Sequence, residues 1–534
     1  MRSEDEMSAG SQHHVTPHGQ TAASKAGTIT VFGLALLNIT AVISLNNLPS
    51  EAEYGLASVF YFLFAAVFFL VPVSLVAAEL ATGWPEKGGV FRWVGEAFHG
   101  RIGFIAMFLL WVEVCVFIPT SLTFGAVALA YINPDEKEAQ SLSGKSAFVL
   151  IVVLVVFWLA LLTALRGTKG FATMAKWGGV IGVFIPITVL VGFATAYAVA
   201  GNAPEMEVGW GDIIPEFSGL STLVLAASIF LMYAGMEMNA VHVKEVKDPT
   251  RNYPIAIFIS AIVTVLIFVL GALAIAWIVP KSDINLTQAI LVTYIDVFEW
   301  AGIPWAASVL AIMLAVGVLV NITTWVAGPS TGLLAVAKAG YLPKSFQRTN
   351  KHGAAVTIMF VQAGIVTLVS ILFVLLPSVQ SAYQILNQLA NILYLTVYLL
   401  MFASIIRLRY TQKDQVRPFR LGKGNALVWI IGGAGFLAAL FVYIVSFVPP
   451  NQINVGSPTL YVTILIVSAV VMYVIPNIIY QFRKPSWKVA DPDFAPFTWE
   501  RTSQTGPADA GAGRAGDGSN PTPPTPPTPD KGDH

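Results

Sequence analysis

The sequence predicts an all-α membrane protein of twelve transmembrane helices, and three observations predict it. Hydrophobic residues make up 56% of the 534 and charged residues only 11%. A soluble protein carries roughly a quarter charged residues, so this chain has too little charge to clothe the cores of a soluble enzyme of its length. Apolar stretches able to cross a hydrocarbon layer of about 30 Å, roughly 20 residues each, fall near 29–47, 56–80, 102–132, 147–165, 177–200, 220–243, 254–280, 301–337, 355–376, 384–406, 427–449 and 459–482. The third observation is where the cations lie. Twenty-seven of the 30 Lys and Arg occupy the two tails and alternate loops, leaving only Lys137, Lys145 and Lys281 for the loops between. Cationic loops stay in the cytoplasm, so both termini are expected there, with the chain in a plasma (bacterial inner) membrane. The opposite loops are acidic and include Glu51, Glu53, Glu136, Asp296 and Glu299.

Taken in order, residues 1–28 are polar and mixed in charge, and a disordered cytoplasmic tail is expected. Residues 29–482 hold the twelve helices. The first span carries an unusual polar series, Asn38, Thr40, Ser44, Asn46 and Asn47, closed by Pro49. The second ends at Glu79, an embedded charge and so a functional candidate, with a structural place at the membrane interface as the alternative, since it runs into the Gly/Pro-rich ELATGWPEKGGVFRWV. Glu113 stands in mid-span in LLWVEVCVFIP, where a charge is costly unless paired or wet. It is a candidate for substrate or proton work, beside the reading of a carboxylate hydrogen-bonded to a neighbouring helix. In the sixth span, LVLAASIFLMYAGMEMNAV, a small Ala-Gly pair meets Glu237 amid apolar sequence, and a helix break is expected there. Such a break exposes backbone carbonyls and amides that bind ions or zwitterions at the midplane. Spans one and six are five apart, and five is odd. A five-helix repeat would therefore occur in two opposite orientations, with the site where two broken helices meet. Residues 483–534 form a second cytoplasmic tail, with aromatic residues over 484–500 and a distal Pro/Thr-rich tract expected to be disordered.

Other chemistry finds little support. No phosphate loop of the GxxxxGK[ST] type and no HExxH occurs, and neither Gly-rich stretch follows a strand. No enzyme activity, cofactor or metal is expected. A net charge of zero argues against nucleic acid as a partner, and the single Cys115 allows no intrachain disulfide.

Three motifs carry a family resemblance: PVSLVAAELATGWPEKGGVFRWV at 72–94, GMEMNAVHVKEVKDPTRNYP at 235–254 and WVAGPSTGLLAVAKAGYLP at 325–343. With them the chain resembles the amino acid-polyamine-organocation transporters, within them the glutamate/γ-aminobutyrate antiporter-like branch, from about residue 28 to 482. The resemblance implies a LeuT-type fold, five plus five inverted helices with two added, and exchange of amino acids or their decarboxylated amines. It implies that Thr40, Ala41 and Ser44 take the substrate carboxylate, and that backbone at Tyr233, Ala234 and Gly235 takes the amine with Glu237 nearby. Trp325, Tyr394 and Tyr398 match aromatic positions that line or gate the substrate path.

Two positions depart from the acid-resistance glutamate exchangers: Asn321 stands where they have Glu, and Glu113 where they have Gln. One carboxylate is lost and another gained, which bears on the substrate. Nor does the fifth span hold a deep lysine of the kind some proton-coupled relatives keep, since Lys176 is at its mouth. Related antiporters can plug their cytoplasmic mouth with the C-terminal segment; membrane anchoring is the alternative for residues 484–500. The partners expected are a small amino acid or amine and the lipid bilayer. Three functional readings stay open: exchange, proton-coupled symport, and a non-transporting receptor or scaffold.

Overall fold

The computed structural model describes residues 29–86, 88–133, 135–166, 178–237, 246–489 and 496–500, in two units divided after Phe494. Lys176 lies outside the described residues. In the second unit, Phe497 and Trp499 stack at 5.3 Å. The first unit is all-helical, and ten of its described helices are long and apolar enough to cross a membrane. Two shorter apolar segments, Val31–Thr40 and Leu220–Met232, stand where spans one and six are expected.

The first segment is short because its helix is interrupted. Helix α1 (Val31–Val42) gives way to extended backbone at Ile43, and the short α2 (Leu48–Ala52) starts only after Asn47, with Pro49 in its first turn. Proline is favoured there because a first-turn N–H has no intrahelical partner to lose. Helix α3 (Gly55–Gly83) and helix α4 (Val90–Ala97) follow. Then come α5 (Gly100–Ala130), α6 (Glu136–Ser143), α7 (Ser146–Ala164) and α8 (Val180–Val199). Two π-helical segments, Ala66–Leu70 in α3 and Val180–Phe184 in α8, each lie two residues before a proline, Pro72 and Pro186. The missing proline N–H is the local defect that a wider turn accommodates.

The sixth segment holds a 3-10 helix at Leu220–Leu223 and the five-residue α9 (Ser228–Met232) before a turn at Tyr233–Gly235. Gly235 has φ +108°, a conformation that L side chains rarely adopt. The remaining helices are α10 (Pro249–Ile278), α11 (Ala289–Trp300), α12 (Trp305–Tyr341), α13 (Val356–Leu375), α14 (Val379–Thr411), α15 (Ala426–Val445) and α16 (Pro458–Gln481). Helix α5 sits at the centre, with 83% of its apolar window buried, whereas α16 is peripheral at 17%. Helices α8 and α12 cross backbone to backbone. A Cβ on Gly182 would stand 2.1 Å from Gly317 Cα, so glycine is required for this approach.

At the acid-rich end, α2, the Leu220–Met232 segment and α14 are tied together. The Tyr54 hydroxyl donates to the Thr222 carbonyl (2.6 Å) and accepts from Ala226 N–H (3.0 Å), while Ser228 donates to the Glu51 carboxylate (2.7 Å). Amides on α14 cap carbonyls of the irregular segment: Gln388 donates to Val224 and Asn391 to Ala227, each at 3.0 Å. Tyr383 hydrogen-bonds the Asn46 carbonyl at 2.9 Å and also meets the Asn47 side chain. Glu51, which the sequence places in an outer loop, is thus fully buried.

The cation-rich end is organised around Glu79, for which the sequence allows a structural place at the interface. It is completely buried in protein at that end, 2.6 Å from Arg409 and 3.6 Å from Arg417, and accepts the Leu421 N–H at 2.8 Å. Arg409 also donates to the Leu421 carbonyl (2.8 Å), and Gln412 links Trp84 to Glu96. The 72–94 motif is therefore a docking frame for the loop after α14. Residues 484–489 rest on the end of α12: Val489 N–H donates to the Lys338 carbonyl (3.0 Å) and Gln347 to the Trp487 carbonyl (2.7 Å).

Outside the spans, on α11, burial together with Glu136 and Glu299 pushes the Asp296 carboxyl up to about 7. Between about pH 4 and 7 the folded chain therefore holds a proton that the unfolded chain has released. Stability from this group is present at the acid end and is lost as pH rises towards 7. Asp296→Asn is expected to flatten this dependence, read as the melting temperature of detergent-purified protein at pH 5 and pH 8. An unchanged pH slope would remove Asp296 as its source.

Candidate functional site

The site is built where the sixth segment breaks. Beyond the turn at Gly235 the chain makes a 3-10 step through Met236 and Glu237, which swings the Glu237 carboxylate against α14. Four residues separate Tyr394 from Tyr398, so both project from one face of that helix, and their rings stack at 4.7 Å. Tyr394 donates to Glu237 Oε1 at 2.5 Å and Tyr398 to Oε2 at 2.7 Å. The Gly235 N–H is shared between the Tyr398 hydroxyl (3.1 Å) and Glu237 Oε2 (3.2 Å). Phe69 of α3 meets Tyr398 edge-on at 5.0 Å and limits its swing. Each of these residues is at least nine-tenths buried.

Glu113 enters from α5. It is 2% exposed, its Oε2 has no hydrogen-bond partner, and it lies within electrostatic reach of both Glu237 and Tyr394. Two buried carboxylates thus face one region, and one of them keeps an unused acceptor. That arrangement can hold a cationic group, or a zwitterion whose other end lies against the broken first span.

The other predicted residues take different positions. Ser44 lies half-buried within the break at Ile43–Asn47, and Ala41 is in the last turn of α1. Thr40 lies within α1, exposed, with its hydroxyl spent on the Leu36 and Leu37 carbonyls (2.9 Å each). Tyr233 and Ala234 are buried at the turn. The Tyr233 side chain points away from Glu237, donating to the Phe62 carbonyl (3.2 Å) and packing on Phe268. Trp325 is half-buried and meets Phe117 edge-on at 5.8 Å. Asn321 is exposed on α12 and does not join the Glu237 cluster. With Thr324, Gly328 and Thr331, all exposed, it makes a polar strip at helical spacing. Such a strip suits water better than lipid.

Sequence reasoning did not single out the buried amide series on α14, Gln384, Asn387, Gln388 and Asn391, although its i, i+3, i+4, i+7 spacing in an apolar helix was a usable signal. Nor did it find the Asn46–Ser121 hydrogen bond (3.0 Å), which ties the break in the first span to α5. A polar cavity of about 570 Å3 at the acid-rich end, bordered by Glu53 and Lys281, shares no residue with the Glu237 cluster.

Residues 29–470 match the family described as amino acid permease. The chain is 37% identical over 453 residues to an uncharacterized transporter of Legionella pneumophila, covering 84% of this chain and 95% of that protein. It is 33% identical over 460 residues to a glutamate/γ-aminobutyrate antiporter of Lactococcus lactis, covering 85% of this chain and 90% of the relative. Similarity extends at 23% identity to a probable agmatine/putrescine antiporter of the same species, over 86% of this chain and 96% of that one.

Proposed function

The chain belongs to the amino acid permease family, and from that membership and the geometry at Glu237 we propose that this multi-pass membrane transporter exchanges amino acids, or an amino acid for its decarboxylated amine, by alternating access. The observation that carries the reading is the break at Tyr233–Gly235, with Glu237 held between Tyr394 and Tyr398. Twelve spans in a five-plus-five inverted repeat with two added helices account for ten long helices and two interrupted ones. Both termini are placed in the cytoplasm, following the cation-rich loops. On that orientation, the ties among Tyr54, Thr222, Tyr383 and Asn46 close the outer side. The exposed strip from Asn321 to Thr331 then faces a water-filled inner vestibule, as an inward-facing transporter requires. Ser44 and the backbone of the first break lie where a substrate carboxylate would dock, and Trp325 borders the inner path. Counterflow in proteoliposomes tests the proposal. Uptake of labelled substrate should rise several-fold when unlabelled amino acid or amine is trapped inside, and uptake driven by a pH gradient alone, without internal substrate, would favour symport instead.

A further inference from the structure

Glu237 has three donors within 3.2 Å, the two tyrosine hydroxyls and the Gly235 N–H, so little of its acceptor capacity is left over. Glu113 is different. Its Oε2 is buried and has no donor, and from the central helix it lies within electrostatic reach of Glu237 and Tyr394. Among the described residues no Lys, Arg or His bears on either carboxylate: the charged neighbour of Glu113 is Glu237 itself. A carboxylate held this deep in an apolar bundle either keeps its proton or takes a positive partner, and none of the described side chains is placed to supply that partner. A substrate can.

We infer that Glu113 is the specificity-determining residue of this site, receiving a protonated primary amine at the distal end of the substrate and disfavouring a distal carboxylate. This rests on the exchange reading for the location of the site, and it deepens that reading by naming the substrate class: amines and amino acids that end in an ammonium group. Such a substrate lies with its near end at the broken helices and its far ammonium at Glu113. A substrate ending in a carboxylate would instead bring a third negative group to two others.

The test is equilibrium binding to detergent-purified full-length protein, with γ-aminobutyrate, putrescine and glutamate as probes. Wild-type protein is expected to bind γ-aminobutyrate and putrescine more tightly than glutamate. Glu113→Gln should weaken both amine-ended probes by roughly tenfold to a hundredfold, the worth of a hydrogen bond to a charged group, and bind glutamate at least as tightly as wild type does, since one of the two opposing negative groups is gone. Glutamate binding then reports that the variant is folded, and Glu113→Asp, which keeps the charge, should retain the amine preference. An equal loss for all three probes, no change in any, a wild-type preference for glutamate, or no binding of either amine would each overturn the inference. Because binding is read without flux, selective loss in Glu113→Gln with no counterflow would sink exchange and leave this inference standing. Counterflow without selective loss would do the reverse.

Discussion

Arg409→Ala is expected to cost the folded transporter about 3–5 kcal/mol, the usual penalty for removing one partner of a buried ion pair. The pair is a short, buried contact at the cation-rich end, with Arg409 Nη2 2.6 Å from Glu79 Oε2 and both side chains at most 1% exposed. Alanine would leave Glu79 with Arg417 at 3.6 Å as its remaining cation, too long for a good hydrogen bond. It would also strip the donors from the Leu421 and Gly424 carbonyls, so the loop after α14 would be held to α3 only by bonds that do not use Arg409, such as Leu421 N–H to Glu79 and Thr82 to the Phe419 carbonyl. Arg409→Lys keeps the charge but not the planar fork that reaches carboxylate and carbonyls at once, and should recover only part of the loss. The double change Glu79→Gln with Arg409→Met should be less damaging than Glu79→Gln alone, because it leaves one buried guanidinium, Arg417, without a carboxylate where Glu79→Gln leaves two. Thermal unfolding in detergent reads all of these, and a melting temperature for Arg409→Ala equal to wild type would show that the pair does not hold this end together.

That ion pair also marks the limit of what the sequence discloses. Apolar length and the alternation of cationic loops are local quantities, and they delivered the helices, because a helix in lipid must satisfy its own backbone. The break in the sixth segment was legible for the same reason, as Ala234, Gly235 and Glu237 interrupt an apolar run within four positions. Partnerships across the bundle leave no local trace. Nothing near Glu79 announces Arg409, 330 residues away, and nothing near Glu51 announces Ser228, so one was read as a functional or interfacial carboxylate and the other as a loop residue. In the first span the polar series pointed to an irregular stretch but not to its boundaries. Thr40 lies inside helix α1 because its hydroxyl is satisfied by carbonyls one turn back, whereas the break comes at Ile43–Asn47, ahead of Pro49. Tyr394 and Tyr398 entered through resemblance. Their spacing predicts a shared face, but that the face meets Glu237 is a tertiary fact.

Glu237→Gln is expected to reduce exchange by roughly tenfold to a hundredfold, the scale of one charged hydrogen bond at the reacting end of a site, with expression and melting behaviour nearly unchanged. The isostere is tolerated because its carbonyl can still accept from one tyrosine and its amide can donate to the hydroxyl of the other. What it cannot do is present a carboxylate that pulls Tyr394, Tyr398 and the Gly235 N–H to one point beside the helix break. Tyr394→Phe and Tyr398→Phe should each fall between wild type and Glu237→Gln. Tyr398→Phe should be the more damaging, since its hydroxyl also accepts from Gly235 and so supports the broken backbone itself. The measurement is exchange in proteoliposomes at matched protein content, with melting temperature as the control for folding. If purified Glu237→Gln exchanges at the wild-type rate, the carboxylate is a structural acceptor for two buried hydroxyls, and the substrate amine must be held elsewhere, with Glu113 the remaining buried carboxylate at this site.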